Sequence, residues 1–380
     1  MQINIDKEYI IRVRRALHQV PEIGYDLPET LAIIRKELEA IGLPYTEKFG
    51  TSSIIATLNE GVGNKTIAIR ADTDALPVTE ETGLEFASTH PGKMHACGHD
   101  THAAMLVGAA KVLSQVKDEI PGTVKLLFQP AEEVARGAKI AIEQGALEGV
   151  DAAFGIHIGA MRDCGSVYFV PGASHAAADH FKITVTGKAT HGARPEAGVD
   201  ATVCAAAIVM NLQSIVSREV SPSQPLVVTV GSLHSGSRFN IVSGEAKMEG
   251  TVRCYDYDLH HQMPEIFDRI IKQTAAAYRC EAEVDYNMML EPLINNDEIL
   301  NLARAAAAKI VDTPDQVKTA GPGMAGEDFS EYSVLTKAAF ASLGAGGEFP
   351  GHSDYVVFDE SAFPTGVALY SQVAWDFLNE

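Results

Sequence analysis

The chain is short of cysteine, of basic residues and of long apolar runs, and each shortage excludes something. Only five cysteines occur in 380 residues, Cys97, Cys164, Cys204, Cys254 and Cys280. Odd in number, scattered and without paired spacing, they fit reduced thiols in the cytoplasm better than a secreted disulfide framework. Lys and Arg number 30 against 50 Asp and Glu, a formal charge of −20. A surplus of that sign repels nucleic acid and anionic lipid, so neither is expected as a partner. Nowhere do about 18 consecutive apolar residues occur, and the N-terminus lacks both the apolar run and the cleavage site of a signal peptide. The expectation is a soluble, unprocessed protein with no membrane partner.

With 46% of its residues apolar the chain can fill substantial cores, and its length exceeds what one core usually serves, so two domains are expected. Apolar residues recur at helical spacing from Tyr9 to Leu17 and from Leu31 to Ile41. Short β-rich runs follow at 53–58, 66–71, 124–129 and 151–157, with a helical pattern from Thr101 to Val116 among them. This alternation predicts an α/β domain with a mixed, largely parallel sheet and flanking helices. From Phe181 the order becomes strand, helix, two strands, helix, strand, the order of a ferredoxin-like α+β unit. We place it at residues 177–288, inserted into a discontinuous catalytic domain of residues 1–176 and 289–380, because His352 must return to the first sheet if it is a ligand.

The chemistry is densest in MHACGHDTH, residues 94–102, where a thiol, three imidazoles and a carboxylate share nine positions. Cys97 and His99 lie in a Gly-containing turn ahead of a helix whose N-cap is expected at Asp100 or Thr101. Glu133, His157 and His352 extend the set of metal-binding side chains to five. Five are too many for one tetrahedral ion and suit two divalent ions that share a bridging ligand. Zn²⁺ or Mn²⁺ fits best, with Co²⁺ or Ni²⁺ also accommodated. The pair Glu132–Glu133 leaves a strand, so its side chains point to opposite sides and take separate roles, one binding metal and one moving protons.

The segments RRALHQVPEIGYDLPET (14–30), RADTDALP (70–77), HACGHDTH (95–102), QPAEE (129–133), GIH (155–157), GEDFS (326–330) and GHSDYVVFDE (351–360) resemble the amidohydrolase branch of the dinuclear metallo-aminoacylase family. That branch includes hippurate hydrolases, auxin-conjugate hydrolases and N-acetyl-amino-acid deacetylases. The resemblance implies that Cys97, His99, Glu133, His157 and His352 bind the metals, with Cys97 where other branches carry an Asp. It implies Glu132 as general base and Asp74 as the support of a metal ligand, with Asp72, Asp100 and His102 as further supports. His95 is left without a role. It further implies that the inserted domain is a lid and dimerisation domain. His191 would then reach the partner's site in a homodimer to stabilise an oxyanion, and Asn240 with Arg253 would hold a substrate carboxylate. The implied reaction is removal of an acyl group, such as acetyl, from the nitrogen of an amino acid or its conjugate. A di- or tripeptidase and a non-catalytic, metal-containing small-molecule binder are the alternatives. Three positions depart from the family pattern: Ala189-Thr190 replaces Gly-Gly before the lid histidine, Glu196 replaces a second histidine, and Gly159-Ala160 replaces an aromatic after GIH.

Overall fold

The computed structural model describes residues 4–47 and 52–380. The chain divides into two compact units. One runs up to Ser174 and resumes over Ile294–Pro322 and Asp328–Glu380; the other comprises His175–Leu293 and Gly323–Glu327. The return of Gly323–Glu327 to the inserted unit is not legible in the sequence. It rests on backbone pairing, with the Ala176 N–H donating to the Ala325 carbonyl at 3.1 Å.

In the first unit, eight strands form one sheet in the order Tyr45–Thr46, Ile54–Leu58, Thr123–Gln129, Thr66–Asp72, Ala152–Gly159, Lys337–Gly344, Val167–Phe169, Val317–Thr319. The four central strands, from Thr123–Gln129 to Lys337–Gly344, are parallel to one another. Their runs of buried Ile, Leu, Val, Phe and Ala suit strands covered on both faces. Helix His99–Gln115 is buried over nearly its whole length, as are most residues of Phe363–Asn379. Helix Lys7–His18 starts where the Asp6 carboxylate accepts from the Tyr9 N–H, and Pro28–Ile41 stops at Gly42 in the left-handed region.

The inserted unit has four antiparallel strands in the order Leu226–Ser235, Glu245–Cys254, Ala178–Thr186, Glu281–Leu290. Alternate residues Phe181, Ile183 and Val185 pack with Cys204, Ile208 and Leu212 of one helix and Met263, Phe267 and Ile271 of another. These helices are Ala201–Ser214 and Tyr257–Ala277, so the element order is the ferredoxin-like one. With its π-helical last turn the first of them, Ala201–Glu219, is long and apolar enough by composition to cross a membrane. Its stripe from Ala201 through Cys204, Ile208 and Leu212 to Ile215 is buried in the unit's own core.

Candidate metal centre

Helix His99–Gln115 begins differently from the sequence expectation. Its N-cap is Gly98, at φ 94° and with no side-chain cap, while His99 is the first helical residue and Asp100 lies inside the first turn. Asp100 is drawn elsewhere: its Oδ2 pairs with the charged Arg14, 2.8 Å from Nε, and accepts from His18 Nδ1 at 2.7 Å. A side chain at position 98 is excluded twice over. The backbone is left-handed, and a Cβ would stand 2.4 Å from Ile158 Cγ2. The tight turn sets Cys97 and His99 at the carboxyl ends of the central strands, where ligands collect in open α/β sheets.

His157 arrives on the Ala152–Gly159 strand, and its Nδ1–H donates to the Ile158 carbonyl at 2.6 Å. Nε2 is left as the lone-pair donor, 3.3 Å from Cys97 Sγ. His352 is held at φ 69°, and its N–H donates to the Ala96 carbonyl at 2.8 Å, tying its loop to the segment that carries Cys97. His352 Nε2 and His99 Nε2 each lie 3.8 Å from Glu133 Oε1.

Ligand-type atoms gather in overlapping trios, each within 4.8 Å: Cys97, His99 and His157; Cys97, Glu133 and His352; His99, Glu132 and Glu133. Cys97, His99 and Glu133 each belong to two of them, so the trios merge into one cluster of donors. Among the described residues, His99 Nδ1 and Nε2 and Glu133 Oε1 are buried without a hydrogen-bond partner. Buried polar atoms left so are costly, and a cation would satisfy them. The donor set therefore fits a pair of divalent ions. Without a cation the groups differ in charge preference, and binding one would displace protons from those held high. Burial holds the His157 imidazole well below its ordinary pKa and neutral, and burial raises the Glu133 carboxyl. Burial likewise pushes the Cys97 thiol up. For His99 burial acts in the opposite sense to Asp72, Cys97 and Asp74, which together raise it.

Around these atoms lies a second set of fixed groups. Asp74 accepts from the backbone N–H of Glu132 at 3.0 Å and of Glu133 at 3.2 Å, and its Oδ1 is 3.4 Å from His99 Nδ1. One carboxylate thus orients the acidic pair and a histidine. His102 cannot serve as a ligand in this state. Its Nδ1 donates to Asp72 Oδ1 at 2.5 Å, and its Nε2 accepts from the Ile158 N–H at 2.7 Å. His95 is fully buried, and burial pulls its pKa down to about 3.

Sequence reasoning gave no role to Arg70, Gln129 and Asp328. The buried Arg70 guanidinium bonds Asp72, Gln129 and Asp328, and the Asp328 N–H donates to Glu132 Oε1 at 3.3 Å. The GEDFS motif was the available signal, but its contact with Glu132 exists only across 196 residues. In the inserted unit, His191 and Asn240 are brought together by a two-stranded ladder, Thr190–His191 with Ile241–Val242. The Gly192 N–H donates to the Asn240 carbonyl at 2.8 Å. His191 Nδ1 accepts from the Ala193 N–H at 3.1 Å, which leaves Nε2 as the N–H donor of the neutral ring. Arg253 stands apart on the Glu245–Cys254 strand, half-buried.

A cluster of one thiol, three imidazoles and two adjacent carboxylates at the carboxyl end of a parallel sheet defines a dinuclear metal-dependent hydrolase. The chain belongs to Peptidase family M20/M25/M40, whose profile matches residues 68–376. It is 40% identical to the N-acetyl-L-cysteine deacetylase of Bacillus subtilis (strain 168) over 94% of this chain and 85% of that one. It is 36% identical to the IAA-amino acid hydrolase ILR1-like 2 of Arabidopsis thaliana over 98% and 86%, and 34% identical to thermostable carboxypeptidase 1 of Saccharolobus solfataricus over 98% and 96%. Among solved structures, a dinuclear metal binding peptidase of the M20 family from Bacillus subtilis superposes with a TM-score of 0.86 at 33% identity, covering 98% of each chain. The protein is a metal-dependent amidohydrolase with small-molecule amide substrates.

Proposed function

We propose that the enzyme removes an acyl group, acetyl in the simplest case, from the nitrogen of an amino acid or amino-acid conjugate. The observation that carries this reading is the Asp74 carboxylate, which fixes Glu132 and Glu133 beside His99 so that adjacent residues perform different tasks. Cys97, His99, Glu133, His157 and His352 would hold the two ions. A thiolate among imidazoles and carboxylates suits Zn²⁺ or Mn²⁺ best, with Co²⁺ or Ni²⁺ as substitutes. Such ions supply Lewis acidity, polarising an amide carbonyl and lowering the pKa of water toward about 7.

Glu132 removes a proton from the attacking water and delivers it to the departing nitrogen as the C–N bond breaks, giving a carboxylic acid and an amine that ionise to carboxylate and ammonium. The Asp328 N–H, bonded to Glu132 Oε1, keeps that carboxylate aimed. His191, with Nε2 as donor, stabilises the oxygen that gains charge, and Asn240 with the forked guanidinium of Arg253 holds the substrate's carboxylate. We place His191 in the partner's site of a homodimer. Exposed Val203 and Met210 on the Ala201–Ser214 helix and the open edge of the Leu226–Ser235 strand support such pairing. The five free thiols support a reducing, cytoplasmic setting.

The carboxypeptidase relative supports a second reading, hydrolysis of short peptides by the same chemistry. A panel of N-acyl amino acids and free-amine dipeptides, assayed with each metal, separates the two: faster turnover of acyl amides sustains the first. Glu132→Gln should keep its metals by elemental analysis and lose about 10² to 10⁴ in kcat; near-normal turnover would refute the assignment of the base.

A further inference from the structure

The side chain of Phe239 is fully exposed, at 102% of its reference area, on a loop that is not loose. The Ile241 N–H donates to the Arg238 carbonyl at 3.3 Å, closing a turn with Phe239 in its middle. Ser243 Oγ accepts from the Gly236 N–H at 3.1 Å, bracing the start of the same loop. On its far side the loop continues into the ladder in which Ile241 pairs with His191. Gly192 lets the two strands meet, since a Cβ there would lie 3.0 Å from the Asn240 carbonyl. Ile241 is itself 42% exposed. A turn fixed by backbone bonds therefore presents an apolar ring immediately before Asn240 and two residues before the Ile241 that pairs with His191.

Single exposed apolar residues are common and need no explanation. This one directly precedes Asn240, and Ile241, whose N–H closes its turn, is the residue paired with His191. If Asn240 holds the α-carboxylate, its neighbour in the turn meets what the substrate carries on the same carbon. That group is the amino-acid side chain and not the acyl group, which lies beyond the nitrogen.

We infer that Phe239 is a specificity-determining residue that packs on an apolar side chain of the N-acyl amino acid bound in the partner subunit's site. The inference rests on the cross-subunit reading of His191 and extends it from catalysis to substrate selection. An aromatic face suits hydrocarbon and thioether side chains, and it has nothing to bury against glycine.

Hybrid dimers test it. Glu132→Gln and His191→Ala chains, each metal-loaded and inactive alone, are mixed so that the heterodimer has one complete site. That site uses Glu132 of the His191→Ala chain and His191 of the Glu132→Gln chain. Recovery near one quarter of wild-type activity is expected. Adding Phe239→Ala to the Glu132→Gln chain should then raise KM for N-acetyl-leucine about tenfold and change that for N-acetylglycine less than twofold. Adding it to the His191→Ala chain should change neither, and Phe239→Leu should recover most of the loss. The substitution is on the surface and is expected to leave folding intact. No recovery on mixing would overturn the cross-subunit reading and the inference with it. Recovery followed by an effect that is the same from either chain, equal for both substrates, or accompanied by dissociation to monomers would overturn the role of Phe239 alone.

Discussion

At the scale of single residues, the site depends on which groups are free and which are committed. His157 Nε2 is available because Nδ1 is held by a backbone carbonyl, whereas both nitrogens of His102 are spent. Asp74 accepts two backbone N–H bonds, from Glu132 and Glu133, while standing next to His99. Asp74→Asn keeps the size but loses the charge, and its NH₂ would face an N–H donor. Metal affinity should fall about 10- to 100-fold, as measured by competition with a chelator, and loss of a group that orients ligands typically costs this much. Cys97→Asp should still bind two ions, with elemental analysis showing a shift from Zn²⁺ toward Mn²⁺ because an oxygen has replaced a soft sulfur. An unchanged metal ratio would mean that the thiolate merely holds the ion.

Elements place those residues. The turn through Gly98 is the tightest constraint, with a left-handed backbone and no room for a Cβ against Ile158 or Phe358. Gly98→Ala combines backbone strain with overpacking and should cost on the order of 2–4 kcal/mol, read as a lower denaturation midpoint together with weaker metal retention. Four strands of the first sheet and its opening helices were legible from periodicity, whereas the central strand Lys337–Gly344 was not. Observed Thr66–Asp72 and Thr123–Gln129 match the apolar runs at 66–71 and 124–129 to within a residue. The helix cap was not legible: Asp100 has the chemistry of an N-cap, yet the buried Arg14 and His18, more than 80 residues earlier, offer it charged partners. Capping rules use only local residues and cannot register that competition.

At the scale of the whole molecule, the inserted unit carries its own buried charge network. His260, fully buried, bonds Asp179 through Nε2 at 2.7 Å and Glu291 through Nδ1 at 3.0 Å. Tyr286 donates to the second oxygen of Asp179, and His261 bonds Glu291. Burial opposes the charge on His260, but the two carboxylates raise its pKa to about 9. An imidazolium favoured by the fold contributes stability that is full below its unfolded pKa of about 6.5 and is lost as pH rises through about 9. Glu291 is lowered, its burial outweighed by His260 and His261, so its contribution is present above its unfolded value and lost in acid. The melting temperature should therefore fall between about pH 6.5 and 9 in the parent, and more weakly in His260→Gln. Equal slopes would remove His260 as the cause. The proposed homodimer is tested separately: Met210, 70% exposed on the Ala201–Ser214 helix, becomes a charge in Met210→Glu. If the proposed pairing holds, sedimentation should show a shift toward monomer, with activity lost in step as His191 leaves the partner's site.

The sequence by itself determined the family, the two kinds of architecture and the side chains able to bind metal, because ligand types and hydrophobic periods are written locally. Cys97 and His99 announce themselves within three positions. Tertiary structure alone decided that Cys97 falls within reach of both His157 and Glu133, that Asp74 holds the acidic pair, and that Asp328 bonds Glu132. These contacts join segments 36 to 196 residues apart, and no local pattern encodes the distance at which two strands end. Only the fold brings those ends to one point, where desolvation and unpaired lone pairs turn scattered residues into a site for two cations.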